Sequence, residues 1–163
     1  MKKLLRKIYT LPVFVLLGRP LFAMAQVAWL EPLALGQARL FARLVHHTYG
    51  RRPQKDAAAL AQEWNRLMPT PRSAFPVVST EGDTAFVEIR IECPLRGTGN
   101  PEACWRSMEF DRALIEASGG ELVVMESQSV TGGQCCKLAI RPKGRGFDDL
   151  PVAHPRWRSK TER

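Results

Sequence analysis

Apolar and polar residues alternate from Thr84 to Cys93, and this period of two predicts a β-strand with one buried face. The apolar face of the strand carries Ala85, Val87, Ile89, Ile91 and Cys93. The polar face carries Glu88, Arg90 and Glu92. Residues 81–83, Glu-Gly-Asp, are typical of the turn before such a strand. We therefore expect Cys93 to lie on the core side of the sheet.

Two apolar stripes with helical spacing precede this strand. The stripe in residues 34–47 consists of Leu35, Ala38, Phe41, Ala42 and Val45. The stripe in residues 56–68 consists of Leu60, Trp64 and Leu67. Gly50 and Pro53 are typical of a helix end, and a proline-rich stretch follows the second stripe. The sequence therefore predicts two N-terminal helices.

A third helix is predicted between the strand and the pair Gly119-Gly120. Asn100 has the side chain of a helix N-cap, and Pro101 suits the first helical position. Within this helix one stripe of residues follows spacings of four, three and four, and consists of Cys104, Met108, Asp111 and Ile115. We expect this stripe to face the core.

Two more strands are predicted over residues 122–128 and 135–141, with a turn at Thr131-Gly132-Gly133. In the last strand the apolar face holds Cys136, Leu138 and Ile140, and the opposite face holds Cys135, Lys137 and Arg141. A strand–helix–strand connection within one sheet makes its strands parallel, and a tight turn makes the last strand antiparallel to both. The predicted fold class is α/β (α+β), with N-terminal helices followed by a strand–helix–strand–strand unit in a mixed, partly antiparallel sheet.

The length of 163 residues suits one compact domain with additional sequence at its ends. We assign the domain to residues 34–141, an N-terminal arm to residues 1–33, and a basic, proline-containing tail to residues 142–163. We expect the tail to be loose. Four cysteines are too few for a disulfide-dense secreted scaffold, so reduced thiols, a metal site and a reactive cysteine all stay open.

The net charge of +8 is concentrated at the two ends of the chain. Residues 1–30 hold five basic and no acidic side chains, and residues 141–163 hold seven basic and three acidic ones. Residues 31–140 hold 12 basic and 13 acidic side chains. Because nucleic-acid-binding domains usually concentrate basic charge on a face of the fold itself, this distribution argues against a nucleic-acid partner. It favours an anionic membrane surface.

Residues 8–35 are largely apolar and follow a basic N-terminal segment. Gly18-Arg19-Pro20 interrupts the apolar run, which excludes an uninterrupted transmembrane helix. We expect a cytoplasmic, membrane-associated chain whose arm lies on the membrane surface, or packs on the domain or a partner subunit through residues 1–48. The alternative is a signal peptide cleaved near Ala25, which would export the remainder of the chain.

All four cysteines lie in residues 93–104 and 132–136. The predicted strand directions bring the end of the first strand, the start of the central helix and the start of the last strand to one edge of the sheet. Open α/β sheets bind ligands at that edge. We predict a pocket there for a small or lipophilic ligand, formed by Cys93, Arg96, Cys104, Ser127, Gln128 and Cys136.

Three roles are possible for these thiols. Cys93, Cys104 and Cys136 form a candidate zinc site, although they lack the Cys-x2-Cys knuckle of the strongest zinc motifs. Cys104 is also a candidate nucleophile, because it lies near a helix N-terminus, where the dipole lowers a thiol pKa. Asp111 is the candidate acid or base, about 10 Å further along the helix. The third possibility is that the cysteines fill the core as small apolar residues.

Two polar features lie near the same edge. Asp111 is on the buried stripe and needs a partner, for which Arg90, Arg96 or a backbone amide are the candidates. Residues 96–99, Arg-Gly-Thr-Gly, have the glycines and the positive charge of an anion-binding loop before a helix. A tight connection without a ligand is the alternative for this loop.

Cys93-Pro94, then Cys104 with Asp111, then Gly132-Gly133 and a cysteine ahead of a short apolar strand resemble two family patterns. One is the 4-vinyl reductase domain with its methanogen output relatives, which are small-molecule- or hydrocarbon-binding α/β domains. The other is the L-2-amino-thiazoline-4-carboxylic acid hydrolase family, whose members depend on thiols. The resemblance covers residues 84–141 and implies a pocket at the edge of the sheet where the cysteines are expected to meet.

The sequence therefore favours an accessory or sensor domain that binds a small or lipophilic ligand in a cysteine-lined pocket near a membrane surface. The first alternative is a thiol-dependent hydrolase that acts on a C–N bond of a cyclic amide or amidine. The second alternative is a structural subunit of a larger complex, held through residues 1–48.

Overall fold

The computed structural model describes residues 20–68 and 71–157. These residues contain a four-stranded sheet and five α-helices, with further helical residues at the two ends of the described part of the chain. The helices are α1 (Glu31–Tyr49), α2 (Ala57–Leu67), α3 (Pro101–Ser107), α4 (Glu109–Ser118) and α5 (Gln128–Thr131). The strands are β1 (Val77–Glu81), β2 (Thr84–Ile89), β3 (Gly120–Glu126) and β4 (Cys136–Pro142). Short 3-10 turns occur at Ala28–Leu30 and Arg72–Ala74, and residues 20–25 are also helical.

The strand order in the sheet is β1-β2-β4-β3, and all neighbouring strands are antiparallel. Because β4 lies between β2 and β3, these two strands run parallel to each other, as the strand–helix–strand argument predicted. Ile89 at the end of β2 pairs with Cys136 at the start of β4. The predicted mixed fold with N-terminal helices is confirmed.

The sheet has one strand more than the sequence predicted, and β2 is shorter than predicted. β1 forms an antiparallel hairpin with β2, and its residues are mostly exposed at the sheet edge. The prediction that β2 extends to Cys93 is wrong, because the strand ends at Ile89. The Arg90 amide then donates to the Ala74 carbonyl at 2.8 Å, and Ile91 is 47% exposed. Cys93 therefore lies in the loop after the strand.

The main core lies between one face of the sheet and helices α1, α2 and α4. The predicted stripe of α2 is confirmed, since Leu60, Trp64 and Leu67 are at most 1% exposed. Asp56 caps this helix by accepting a hydrogen bond from the Ala59 amide at 2.8 Å. Burial of these side chains, at about 2 kcal/mol each, fixes the helix on the sheet.

The single helix predicted after Asn100 consists of two helices with a break at Met108. Asn100 caps the first by accepting from the Ala103 amide at 2.9 Å, as predicted. Met108 has ψ near 0°, which turns the helix axis between α3 and α4. The predicted stripe is buried on both helices, at 3%, 7%, 7% and 0% exposure for Cys104, Met108, Asp111 and Ile115.

Gly119 and Gly120 end α4 for different reasons. Gly119 has φ of 98°, the left-handed conformation that favours glycine. A Cβ atom on Gly120 would lie 2.8 Å from a Leu60 methyl group and 2.9 Å from the Arg141 carbonyl oxygen. The pair therefore allows the helix to stop and β3 to start directly beneath α2.

The prediction of a loose tail after residue 142 is wrong for residues up to 157. Phe147 and Trp157 are 1% and 9% exposed and pack with Val123 and Ala139 on the second face of the sheet. The Ala153 amide also donates to the Val124 carbonyl at 2.9 Å. The physical reason is that this face is itself apolar and needs a cover, which the few apolar residues of the tail supply.

The predicted boundary between arm and domain at residues 33 and 34 falls inside α1, which begins at Glu31. Ala25 is fully buried, and its carbonyl accepts a hydrogen bond from Arg106 Nε at 2.6 Å. The described part of the arm thus packs on the domain. The basic segment and the apolar residues up to 19 lie outside the described residues, and cleavage near Ala25 stays a prediction. Among the described residues, no helix is long and apolar enough to cross a membrane.

Candidate functional site

Three of the four cysteines, Cys93, Cys104 and Cys136, meet at one edge of the sheet, as the strand directions predicted. We call this region the cysteine edge. Cys104 Sγ lies 3.0 Å from Ser127 Oγ, and Cys136 Sγ accepts a hydrogen bond from the Gln128 amide at 3.4 Å. Cys104 and Cys136 are 3% and 4% exposed. All four cysteines are thiols, and the fourth, Cys135, is half-buried and lies just before β4 begins at Cys136.

Hydrogen bonds from the Gln128 side chain hold the loop that carries Cys93 against the rest of this edge. Its Oε1 accepts from the Cys93 amide at 3.1 Å, and its Nε2 donates to the Ile91 carbonyl at 2.9 Å. The side chain is fully buried. The prediction that Ser127 and Gln128 bind a ligand stays untested, but both side chains are engaged within the chain, which argues against it.

The loop of residues 96–99 is a tight connection. Its four backbone amides donate, in order, to the carbonyls of Cys93, Gln128, Leu95 and Ser129, at 2.9, 3.0, 3.1 and 2.9 Å. Arg96 Nε donates to the Gly132 carbonyl at 2.9 Å. An anion-binding loop needs amides that point at the ligand, and these amides are already used. The geometry therefore favours the alternative reading of this loop.

Burial determines the protonation of the three thiols. It raises the pKa of Cys104 to about 12, although the Ser127 hydroxyl opposes the shift, and it raises the pKa of Cys136 to about 11. The pKa of Cys93 is raised by the same cause. The helix N-terminus was expected to lower the pKa of Cys104, and the shift has the opposite sign because the side chain is desolvated. Each thiol is therefore protonated at neutral pH and is a poor nucleophile.

Asp111 has a partner that the sequence analysis did not consider. Its Oδ1 accepts a hydrogen bond from Trp64 Nε1 at 2.9 Å, and neither Arg90 nor Arg96 takes this part. Burial raises the pKa of Asp111 to about 6. The carboxyl group joins α4 to α2 inside the core, and nothing in this contact links it to Cys104 as an acid or base.

The donor set at the cysteine edge does not fit zinc. Within residues 20–68 and 71–157, no group of three or more His, Cys, Asp or Glu side chains is arranged to hold a metal ion. A zinc site needs three or four ligands around one point, and these side chains do not provide them. We derive no chemistry through a metal at this site.

An open depression lies beside the cysteine edge. Its volume is about 690 Å³, and it is lined by Glu92, Cys93, Pro94, Arg96, Gly97 and Gly132. Cys104 and Cys136 are not among the lining residues. Of the six predicted ligand-binding residues, only Cys93 and Arg96 therefore border this depression.

A second cleft of about 550 Å³ lies between α1, α4 and the C-terminal segment. Its charged walls are joined by ion pairs, with 2.6 Å from Arg39 to Glu109 and 2.8 Å from Arg112 to the same carboxylate. The Arg112 guanidinium also stacks on the Trp105 ring, 3.8 Å from its centroid. These contacts stabilise the packing of α4, and they leave the charges of Arg112 and Glu109 committed to each other.

The sequence analysis missed an apolar surface on α1. Leu33, Leu40 and Leu44 are 60%, 56% and 45% exposed, and their spacings of seven and four place them on one side of the helix. Trp29, in the turn before the helix, is 80% exposed. We call these four residues the outer apolar face. The signal was present in the sequence, because α1 has a second apolar stripe besides the one that packs on the core.

Comparison of this chain with protein-family models, with curated proteins and with solved structures found no match. The resemblance to the 4-vinyl reductase and L-2-amino-thiazoline-4-carboxylic acid hydrolase families therefore stays a prediction. Function has to be argued from the geometry of the molecule.

Proposed function

We propose that this chain is a non-catalytic accessory protein that docks on a partner surface through the outer apolar face. The observation that carries the proposal is the alignment of Leu33, Leu40 and Leu44 on one exposed side of α1. Single exposed apolar side chains are ordinary in folded proteins, whereas an aligned group of large ones marks an interaction surface. The proposal agrees with the expectation that the chain contacts a membrane surface or a partner subunit through residues 1–48.

The opposite side of α1 supports this use of the helix. Phe41 is 4% exposed and stacks on Phe110 with 4.9 Å between the ring centroids. His46 Nε2 lies 3.0 Å from the Leu114 carbonyl oxygen. The helix is therefore fixed to α4 by its inner side, and it presents the outer apolar face from a rigid support.

In-cell photo-crosslinking tests the docking function without assuming which partner is bound. A photoreactive phenylalanine analogue replaces Leu40 in one protein and Val78 in the other. Val78 is the matched control, because it is 55% exposed and lies on edge strand β1, away from α1. We expect adducts with lipid or protein at position 40 and none at position 78. Equal labelling at the two positions would overturn the proposal.

A second candidate function is the binding of a small molecule in the depression beside Cys93. The observation in its favour is that Cys93 and Arg96, two of the predicted ligand-binding residues, both border this open space. A bound molecule would protect Cys93 from alkylation, and half-buried Cys135 is the internal control. Slower alkylation of Cys93 in freshly purified protein than after exhaustive dialysis, with Cys135 unchanged, is the expected result. An identical rate in both samples contradicts it.

The hydrolase alternative has no comparable observation in its favour. A thiol nucleophile needs a lowered pKa or an adjacent base, and burial raises the pKa of Cys104 to about 12. The carboxyl group of Asp111 is bonded to Trp64. Catalysis through this pair would require a rearrangement of the core around α2 and α4.

A further inference from the structure

We propose that the surface recognised by the outer apolar face is an anionic membrane, with α1 lying in the membrane plane. The inference rests on the proposed docking function and names its partner. In-plane helices place large apolar side chains in the acyl boundary and cationic side chains at the headgroups. The outer apolar face and its surroundings have both features.

The first argument is charge complementarity. The only acidic residue of α1 is Glu31, and its carboxylate is committed to Arg106 and Arg156, at 3.3 and 2.6 Å. The helix also carries Arg43, which is exposed on one flank of the leucines, whereas Arg39 on the same flank is paired with Glu109 at 2.6 Å. No acidic side chain of α1 therefore repels an anionic surface, and the Arg43 guanidinium is placed to contact it.

The second argument is the position of Trp29. Its indole is 80% exposed at the N-terminal end of the leucine stripe. Tryptophan is enriched at the level of lipid headgroups, because its ring is apolar and its N–H group can remain hydrogen-bonded. A tryptophan at the start of an exposed leucine stripe is typical of an interfacial anchor.

The third argument comes from the sequence before α1. Residues 1–30 contain five basic side chains and no acidic one. Basic segments next to an apolar surface add attraction to anionic lipids, and this attraction decreases within about 10 Å at moderate salt. The charged side chains in the stretch of sequence that leads into α1 are therefore all basic.

A second copy of the chain fits the same face less well. A helix–helix seam between copies needs apolar positions repeated over three or four heptads. Here three leucines cover residues 33–44, and Gln37 occupies the position between the first two. The stripe is long enough for partial insertion into a membrane surface and too short for a stable coiled coil.

Co-sedimentation of the full chain with lipid vesicles tests the inference. We expect binding to phosphatidylcholine vesicles that contain about 30% phosphatidylserine, and little binding to phosphatidylcholine alone. The combined change Leu33→Ser, Leu40→Ser and Leu44→Ser should reduce binding by at least about tenfold. The control Val78→Ser with Val130→Ser removes two equally exposed apolar side chains elsewhere and should leave binding unchanged.

Two further measurements keep the test valid if the triple variant folds poorly. Arg43→Gln should weaken binding to the anionic vesicles and reduce its dependence on salt. Acrylamide quenching of tryptophan fluorescence should fall when vesicles are added to the natural chain and stay constant for Trp29→Phe. Trp29 is the most accessible of the four tryptophans, because it is 80% exposed, Trp64 and Trp157 are 0% and 9% exposed, and Trp105 is half-buried under the Arg112 guanidinium.

The outcomes separate the partner from the docking function. Equal binding to zwitterionic and anionic vesicles, or unchanged binding of the triple variant, overturns the membrane inference. A dimer in sedimentation equilibrium that the triple variant loses, without vesicle binding, identifies a second copy as the occupant. In that case the membrane inference fails and the docking function stands.

Discussion

The cysteine edge and the outer apolar face differ in how accessible their side chains are. The difference is the reverse of what their residue types suggest. The cysteine edge contains thiols, hydroxyl groups, an amide and a nearby carboxyl group, yet Cys104, Cys136 and Gln128 are buried and engaged with each other or with the backbone. The outer apolar face contains only leucines and a tryptophan, and it is open to its surroundings. The chemically reactive side chains are thus buried, and the unreactive apolar ones are exposed to solvent.

The difference shows that access and partners decide what a side chain can do. The Cys104 thiol lies near a helix N-terminus, but desolvation outweighs the dipole and raises its pKa to about 12. Leu40 is an ordinary helix-forming residue, but 56% of it is exposed beside two other leucines. The comparison makes definite predictions, because interior residues should affect stability and residues of the outer apolar face should not.

The largest expected effect is a loss of stability in Gln128→Ala. The change removes the partners of the Cys93 amide and the Ile91 carbonyl and leaves a space in the edge. We expect the free energy of unfolding in urea to fall by about 4 kcal/mol. Gln134→Ala is the control, because Gln134 is exposed, and it should change stability by less than about 0.5 kcal/mol. A loss below about 1 kcal/mol in Gln128→Ala would show that the cysteine edge opens easily.

The next effect is a pH dependence that belongs to Asp111. Burial raises its pKa from 3.8 to about 6, so the folded protein binds more protons than the unfolded chain between these values. Stability from this group is therefore complete below pH 3.8 and is lost as the pH rises to about 6. The natural chain should lose about 3 kcal/mol over this range relative to Asp111→Asn. Unfolding in urea at several pH values measures the difference.

His154 titrates over an overlapping range with the opposite sign. Burial, together with the charge of Arg112, lowers its pKa from 6.5 to about 4, so its contribution to stability is lost as the pH falls through this range. The contribution is the same in the natural chain and in Asp111→Asn, and it cancels in their difference. A flat difference between pH 4 and pH 6 would show that the Asp111 carboxyl group is accessible to water.

A smaller effect distinguishes the cysteines from one another. Cys104→Ala removes a buried sulfur and its contact with Ser127, and we expect it to lower the free energy of unfolding by about 1.5 kcal/mol. Cys135→Ala changes a half-buried residue outside the edge and should cost less than about 0.5 kcal/mol. Urea unfolding of both variants checks the order. Equal losses would remove the distinction between the enclosed cysteines and Cys135.

Much of the fold could be predicted from the sequence, because periodicity reports which side of an element is buried. The spacing of Leu60, Trp64 and Leu67 identified α2, and strand direction placed Cys93, Cys104 and Cys136 together. The alternation in β4 placed Cys136, Leu138 and Ile140 correctly on the buried face. These inferences depend on local pattern and chain direction alone.

The remaining features depend on contacts that no local pattern contains. β1 lies at the sheet edge and is mostly exposed, so it lacks the alternation that identifies a strand. Phe147 and Trp157 are isolated apolar residues in a basic segment. They are buried because they cover the second apolar face of the sheet, which a local pattern does not reveal. The pKa of Cys104 depends on what covers it. The outer apolar face was missed because α1 is apolar on two sides, and only packing decides which side is inner.

The smallest expected effect provides the sharpest test of the comparison. The combined change Leu33→Ser, Leu40→Ser and Leu44→Ser alters three side chains that are about half exposed or more. Their loss removes little burial, and serine costs a few tenths of a kcal/mol each in helix propensity, so the free energy of unfolding should fall by at most about 1 kcal/mol. The inner residue Phe41 is 4% exposed, and Phe41→Ala should cost about 3 kcal/mol. Urea unfolding of the two variants compares the two sides of one helix directly. A large loss in the leucine variant would mean that these side chains stabilise the fold itself, and the outer apolar face would then lose its claim to be a surface reserved for docking.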